Sequence, residues 1–262
     1  MLSEALVNCN EQLEKLGCCK TDESPCNCVD ALSQDYKSRS DSYDCPKKMN
    51  TYVLRYGPAY VSEIYHYLVE SDFKERIKGN KLTVASLGCG FAPDFYALEE
   101  YLSTYKPEIK LSYFGTDTST CWDSARPVKP NCTFRPLDLT KPFTFANADV
   151  DVVIISKVFS TLYRNGLHGS FLENLKSAIE TTLPDGAIVI FTDINHYAFG
   201  REVFHKNVKA YLPNFTCYYF DGYEGNGWKK IPNNYIVSDV PDGLAVGSLD
   251  GTGKTVVFEY RK

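Results

Sequence analysis

The stretch TVASLGCGFAPDFYAL, residues 83 to 98, constrains the fold more than any other part of the chain. Its first half belongs to LTVASL, a short β-branched apolar run that reads as a buried strand. The run breaks into Gly88 and Gly90, and three residues later Pro93 opens PDFYALEEYLSTY, a helix with Phe95, Leu98 and Leu102 facing inward. A strand, a tight turn and a helix start are therefore encoded in sixteen residues. Without side chains on its two glycines, the turn lets another group approach the backbone closely.

The rest of the chain from residue 80 repeats this alternation. LSYFGTD, CTFRPLDL, VDVVIIS and AIVIFTD read as strands two to five, and GSFLENLKSAIETTL reads as a helix with Phe171, Leu172, Leu175 and Ile179 on one side. Strands alternating with helices, and apolar on both faces, predict a parallel sheet covered on both sides. FTCYYFDGY and KTVVFEYRK have no good helix between them and read as an antiparallel pair. The first 75 residues differ. Leu6, Cys9, Leu13 and Leu16 predict a helix over residues 3 to 17, a polar cysteine-rich stretch follows, and a second helix is expected to start at Pro58 and run to residue 70. The expected division is a mainly helical, cysteine-rich region over 1–75 and a ligand-binding domain over 76–262. No apolar run approaches the roughly 20 residues of a membrane span, and MLSEALVNCNEQLEKLG has no signal-peptide core, so a cytoplasmic protein is expected. The net charge of -5 argues against a uniformly basic nucleic-acid binder.

In an open parallel sheet, ligands bind beyond the carboxyl ends of the strands at the topological switch point, which is where the glycine turn falls. The dinucleotide fingerprint wants a third glycine at position 93, where this chain has proline. GSLDGTGKT, 247 to 255, is no phosphate-binding loop: its spacing is wrong and it leads into a strand, so it reads as a glycine-rich hairpin turn. Two acids are in register with the strands. Asp117 ends the second, where a carboxylate can accept both hydroxyls of a ribose, and Asp138 follows the third, where it can meet an adenine amino group.

This order of elements resembles the class I S-adenosylmethionine (SAM)-dependent methyltransferases over about residues 80 to 262. SLGCGFAPD is similar to their first motif, YFGTD to the second, PLDL to the third, VVIISKVFSTL to the fourth and LPDGAIVIFTD to the fifth-strand segment. The resemblance implies a Rossmann-like, mostly parallel seven-stranded sheet with helices on both faces and an antiparallel C-terminal strand. It implies that Gly88, Cys89 and Gly90 lie against the methionine part of SAM, that Asp117 binds the ribose, that Asp138 and Leu139 hold the adenine, and that Ser156 and Lys157 line the cofactor near the methyl. Ser86 stands where many members carry an acid, and Asp94 is a candidate to serve the cofactor amino group instead. Thr118 stands where an apolar residue often packs on adenine. Trp122 either supplies that surface or belongs to the core.

Methyl transfer depends largely on positioning, and a base is needed only if the acceptor loses a proton early. Lys157, Asp193, His196 and Tyr197, with His205 beyond them, are the candidates after strands four and five, while His66 and His168 read as structural. Tyr43, Tyr52, Tyr56, Tyr60, Tyr65 and Tyr67 lie among Lys47, Lys48 and Arg55. They can stack a nucleic-acid strand, line a small-molecule pocket or simply pack a lid, so the acceptor stays open between a small molecule and RNA. The fourth motif lacks the signature of enzymes that methylate exocyclic amino groups of DNA bases. Cys18, Cys19, Cys26, Cys28 and Cys45 are enough thiols for a structural zinc, but lack paired C-x2-C spacing; free thiols are the other reading. Two further functions remain open: another Rossmann-type enzyme, either a SAM lyase or an NAD-dependent oxidoreductase, and a binding module without activity. The N-terminal region is expected to act as a lid that supplies the acceptor site. Since all proposed cofactor contacts fall after residue 80, removal of residues 1–45 is expected to leave the sheet folded and SAM binding largely intact while methyl transfer fails.

Overall fold

The computed structural model describes residues 2–16, 32, 45–146 and 149–262. Two helices precede the sheet, α1 (Leu2–Lys15) and α2 (Pro46–Glu70), followed by the single turn α3 (Phe73–Arg76). Then come β1 (Lys81–Leu87), α4 (Pro93–Tyr105), β2 (Lys110–Asp117), β3 (Cys132–Pro136) and β4 (Val152–Ser156). After these run α5 (Phe159–Arg164), α6 (His168–Thr182), β5 (Ile188–Ile194), α7 (Arg201–Val208), β6 (Asn214–Tyr219), β7 (Lys229–Lys230) and β8 (Thr255–Arg261).

The sheet order is β3-β2-β1-β4-β5-β8-β6-β7. β1 to β5 are mutually parallel, and β8 enters antiparallel between β5 and β6. The expected antiparallel C-terminal strand is therefore present, but the sheet has eight strands where seven were expected. The addition is β7, two exposed lysines paired parallel to Tyr218 and Tyr219. A two-residue polar edge strand has no apolar alternation to read. The chain steps from β1 outward to β2 and β3, then returns to place β4 on the other side of β1. The switch point thus lies between the carboxyl ends of β1 and β4.

Alternate side chains of each strand serve opposite faces. Val84, Tyr113, Ile154, Ile190 and Val257 meet α1, α2 and α4, whereas Leu87, Val153, Ile155, Val189, Phe191 and Phe258 meet α5, α6 and α7. The N-terminal helices thus share one apolar core with the sheet: Leu2, Leu6, Cys9, Met49, Val53, Leu54 and Leu68 pack in the same cluster as Phe95, Leu98 and Val84.

Helix α2 corrects the expected start at Pro58. The proline at its first turn is Pro46, and Pro58 lies inside a helix of 25 residues. An internal proline costs about 3 kcal/mol in an isolated helix. Here burial on nearly every side offsets it, and that same burial hides the helical period over residues 46 to 57. Its polar residues are buried with partners. Asn50 Oδ1 accepts from Ser124 Oγ (2.6 Å), Ser62 Oγ donates to the Pro58 carbonyl (2.7 Å) and accepts from Val237 N (3.0 Å), and His66 Nε2 meets the Tyr235 carbonyl (2.8 Å). The segment after β7 supplies several of these partners and forms, before β8, no hairpin: GSLDGTGKT runs against α2, with Leu249 N donating to the Arg55 carbonyl (3.0 Å). Among the described residues no helix is long and apolar enough to cross a membrane.

Candidate cofactor and active site

The turn after β1 is built by backbone geometry. Gly88 and Gly90 have φ of +65° and +54°, and Ala92, at +66°, also adopts the left-handed conformation before Pro93 begins α4. Cys89 N donates to the Thr116 carbonyl (2.9 Å), Gly90 N to Asp117 Oδ2 (2.9 Å) and Ala92 N to the Cys89 carbonyl (2.7 Å). A residue that the sequence did not reveal closes the ring. Arg126 donates through Nε to the Gly90 carbonyl (2.9 Å) and through its guanidinium to the Ser119 carbonyl (3.1 Å) and Asp123 (2.8 Å). Its bond to the turn is made to a backbone carbonyl 36 residues away, so no motif announces it.

Gly88 has a second reason to be glycine. A Cβ there would lie 2.5 Å from Val158 Cγ2, beside β4. Gly88→Ala is therefore expected to cost about 2–4 kcal/mol, from strain at positive φ together with overpacking. Gly79, also at positive φ (+72°) but with nothing within 4 Å of its Cβ position, serves as the control. Gly79→Ala should cost only about 1 kcal/mol. Denaturant unfolding of the two variants checks the contrast, and equal losses would show that the Val158 contact is unimportant.

A cleft of about 240 Å³ opens over this turn. Its floor is Gly88, Cys89 and Gly90; one side carries Asp117, Thr118, Asp138 and Leu139, the other Ser156 and Lys157, and Tyr52, Tyr60 and Trp122 wall it. Ten residues named from the sequence thus converge: Gly88, Cys89, Gly90, Asp117, Thr118, Trp122, Asp138, Leu139, Ser156 and Lys157. Asp117 also accepts from Ser119 N through Oδ1 (2.9 Å), so each carboxylate oxygen is already aimed by a backbone donor. Asp138 accepts the Thr140 hydroxyl (2.7 Å) and N–H (2.9 Å), and these bonds hold its carboxyl below the usual range. Trp122 is buried, packs edge-on against Tyr52 (5.6 Å), and faces the cleft. Tyr52 and Tyr60 lie on one face of α2 with their hydroxyls 3.4 Å apart.

Ser86 and Asp94 do not line this cleft. Both are fully buried, and Asp94 sits in the core between α4 and β2, where the Tyr113 hydroxyl donates to it (3.0 Å). Burial pushes the Asp94 carboxyl up to about 6. Because its folded value lies above its unfolded one, the native state holds a proton that the unfolded chain releases between pH 4 and 6. Stability from this group is full below about pH 4 and falls by about 3 kcal/mol as pH rises to 6. Asp94→Asn should flatten that part of the stability profile. Denaturant midpoints measured from pH 4 to 7 check it, and an unchanged slope in the variant would contradict the assignment.

The catalytic candidates separate. Lys157 lines the cleft, but Asp193, His196 and Tyr197 do not. Asp193 is buried and accepts from Ser160 N (2.9 Å) and Ile194 N (2.7 Å), so it caps α5; burial raises its carboxyl. His196 accepts from Ala198 N (3.1 Å) and stacks on Tyr197, which is 74% exposed. His205 is packed against Phe258 and Tyr260, and burial lowers it to about 4. Of the metal candidates, Cys18, Cys19, Cys26 and Cys28 lie outside the described residues, and Cys45 is buried immediately before α2. Among the described residues no group of three His, Cys, Asp or Glu side chains could hold a metal ion.

A sheet of this order, with its cleft at the β1/β4 switch point and an antiparallel strand inserted beyond β5, defines the class I SAM-dependent methyltransferase fold. One solved structure supports this fold. The plantazolicin methyltransferase BpumL, in complex with S-adenosylhomocysteine (SAH), superposes with a TM-score of 0.51 at 15% identity, over 97% of this chain and 99% of that one. The CurJ carbon methyltransferase gives 0.48 at 13% identity over 82% of this chain, which spans 58% of that protein's length. A TehB-like SAM-dependent methyltransferase from Corynebacterium glutamicum gives 0.46 at 13% identity, over 83% of this chain and 100% of that one. No family model and no curated protein sequence matches the chain.

Proposed function

We propose that the protein is a SAM-dependent methyltransferase acting on a small-molecule acceptor. The observation that carries this reading is the convergence of the glycine turn, Asp117, Asp138 and Ser156 on one cleft at the switch point. The residues suit SAM. Gly88 and Gly90 offer backbone without side chains, and Ser156 Oγ is buried at the cleft with no hydrogen-bond partner among the described residues. The turn and Ser156 would hold the methionine part, Asp117 the ribose hydroxyls, and Asp138 with Leu139 the adenine. Asp94 is too deep to serve the amino group. When bound, SAM supplies a methyl on a sulfonium, which leaves by in-line displacement. The chain's own part is to fix the cofactor on the turn and orient the acceptor between Tyr52, Tyr60 and Lys157.

The walls favour a small molecule over RNA. They are aromatic and apolar, and Lys157, the one cation lining the cleft among the described residues, is already paired with a carboxylate. Titration calorimetry with SAM, SAH and NAD(H) tests the cofactor: SAM and SAH should bind and NAD(H) should not. Binding of NAD(H) alone would favour the oxidoreductase reading. Transfer of labelled methyl from SAM to a panel of small molecules, against an RNA panel, then tests the activity; a protein that binds SAM and methylates neither would favour the binding module.

A further inference from the structure

Lys157 stands out at the cleft for its backbone. It is not glycine, yet its φ is +55°, a conformation that L side chains avoid at a cost of order 1 kcal/mol or more. Its N–H is tied to the Thr192 carbonyl (2.8 Å), so strand pairing continues through the strained residue. The result sends the side chain across the end of the sheet to α2. There Nζ lies 2.8 Å from Glu63 Oε2, donates to Thr255 Oγ1 (2.6 Å) and sits 4.9 Å from the centre of the Tyr60 ring. Glu63 is held in turn: its Oε1 accepts from the Thr255 hydroxyl (2.8 Å) and from Gly253 N (3.0 Å). The Glu63 side chain is 2% exposed and that of Lys157 10%.

A buried carboxylate on a helix face is costly unless it is paired and hydrogen-bonded, as this one is. Three separate segments, α2, the end of β4 and the start of β8, converge to make this pair. We infer that Glu63 is a positioning residue that draws the Lys157 ammonium out of the cleft and neutralises it, so that the cleft accepts a ligand carrying positive charge. The inference rests on the SAM reading above, since the sulfonium gives SAM one more positive charge than SAH. With Glu63 in place, the site does not oppose that charge. Without it, an unneutralised ammonium would face the cleft and penalise SAM selectively.

The readout is the ratio of SAM to SAH affinity, measured by calorimetry, because a merely structural role for Glu63 would weaken both ligands together. Glu63→Gln should weaken SAM on the order of tenfold while changing SAH less than about threefold, the scale of one unscreened charge across a partly buried site. Glu63→Gln combined with Lys157→Met should restore the wild-type ratio. Glu63→Asp keeps the charge but withdraws it by one methylene, and should give an intermediate ratio; it decides the matter if Glu63→Gln does not fold. A ratio unchanged in a variant that still binds SAH overturns the inference, as it would if the ammonium simply turned to the nearby carboxylate of Asp193. Wild-type protein that binds neither ligand overturns the cofactor reading itself.

Discussion

Asp117→Ala is expected to lower SAM affinity by a hundredfold or more, on the order of 3–6 kcal/mol. The estimate counts two charge-assisted hydrogen bonds to the ribose at about 1.5–3 kcal/mol each. The structure adds a second cause. Asp117 accepts from Gly90 N and from Ser119 N, so the same carboxylate fastens the glycine turn to the end of β2. Asp117→Asn should be nearly as damaging, because its amide nitrogen would face one of these two N–H donors in place of an acceptor. Calorimetry with SAM and SAH measures the loss. Asp117→Ala removes bonds to the ribose that SAM and SAH share, so SAH should also weaken by far more than threefold, which separates this variant from Glu63→Gln. Affinity within threefold of wild type in Asp117→Ala would remove the ribose from this side of the cleft.

What the sequence shows, and what it hides, divides along physical lines. The strand β4, buried throughout, announces itself as VVIIS, and the turn after β1 as two glycines before a proline, because local chemistry alone determines both. Asp117 and Asp138 are legible for the same reason: their place relative to strand ends is fixed by counting. The first half of α2 is not legible. A helix buried on nearly all sides has no polar stripe, and its buried Asn50, Ser62, Glu63 and His66 look like surface residues until Ser124, Val237, Gly253 and Tyr235 are seen beside them. Glu63 and Thr255 are 192 residues apart, and neither carries any local sign of the other. Asp193 and His196 mislead for a different reason. An acid and a histidine after a strand look catalytic by residue type, but helix ends and short turns need capping acceptors just as often, and that is what both supply.

Deleting residues 1–45 is expected to cost most of the protein's stability, against the sequence-based expectation that the cofactor fold would survive it. Leu2, Ala5, Leu6 and Cys9 of α1 are buried in the same core as α2 and α4, with Leu6 and Cys9 wholly inaccessible. Asn8 and Asn10 tie the helix to the Ser124 carbonyl and to Ala245 N. Burial of two leucines and two smaller apolar residues contributes about 5 kcal/mol, a large part of the roughly 5–15 kcal/mol that holds a domain together. The cut would also expose the side of α2 on which α1 rests, and α2 carries Tyr52 and Tyr60 to the cleft and Glu63 to Lys157. Fold and ligand binding should therefore fail together: a melting temperature lower by about 10–20 °C, with SAH no longer raising it. Leu6→Ala in the full chain offers a milder version, expected to cost about 2–4 kcal/mol while leaving SAH binding intact at low temperature. A truncated protein that melts within a few degrees of the full chain and binds SAH normally would show that α1 is an appendage. The cleft would then owe its shape to α2 and the sheet alone.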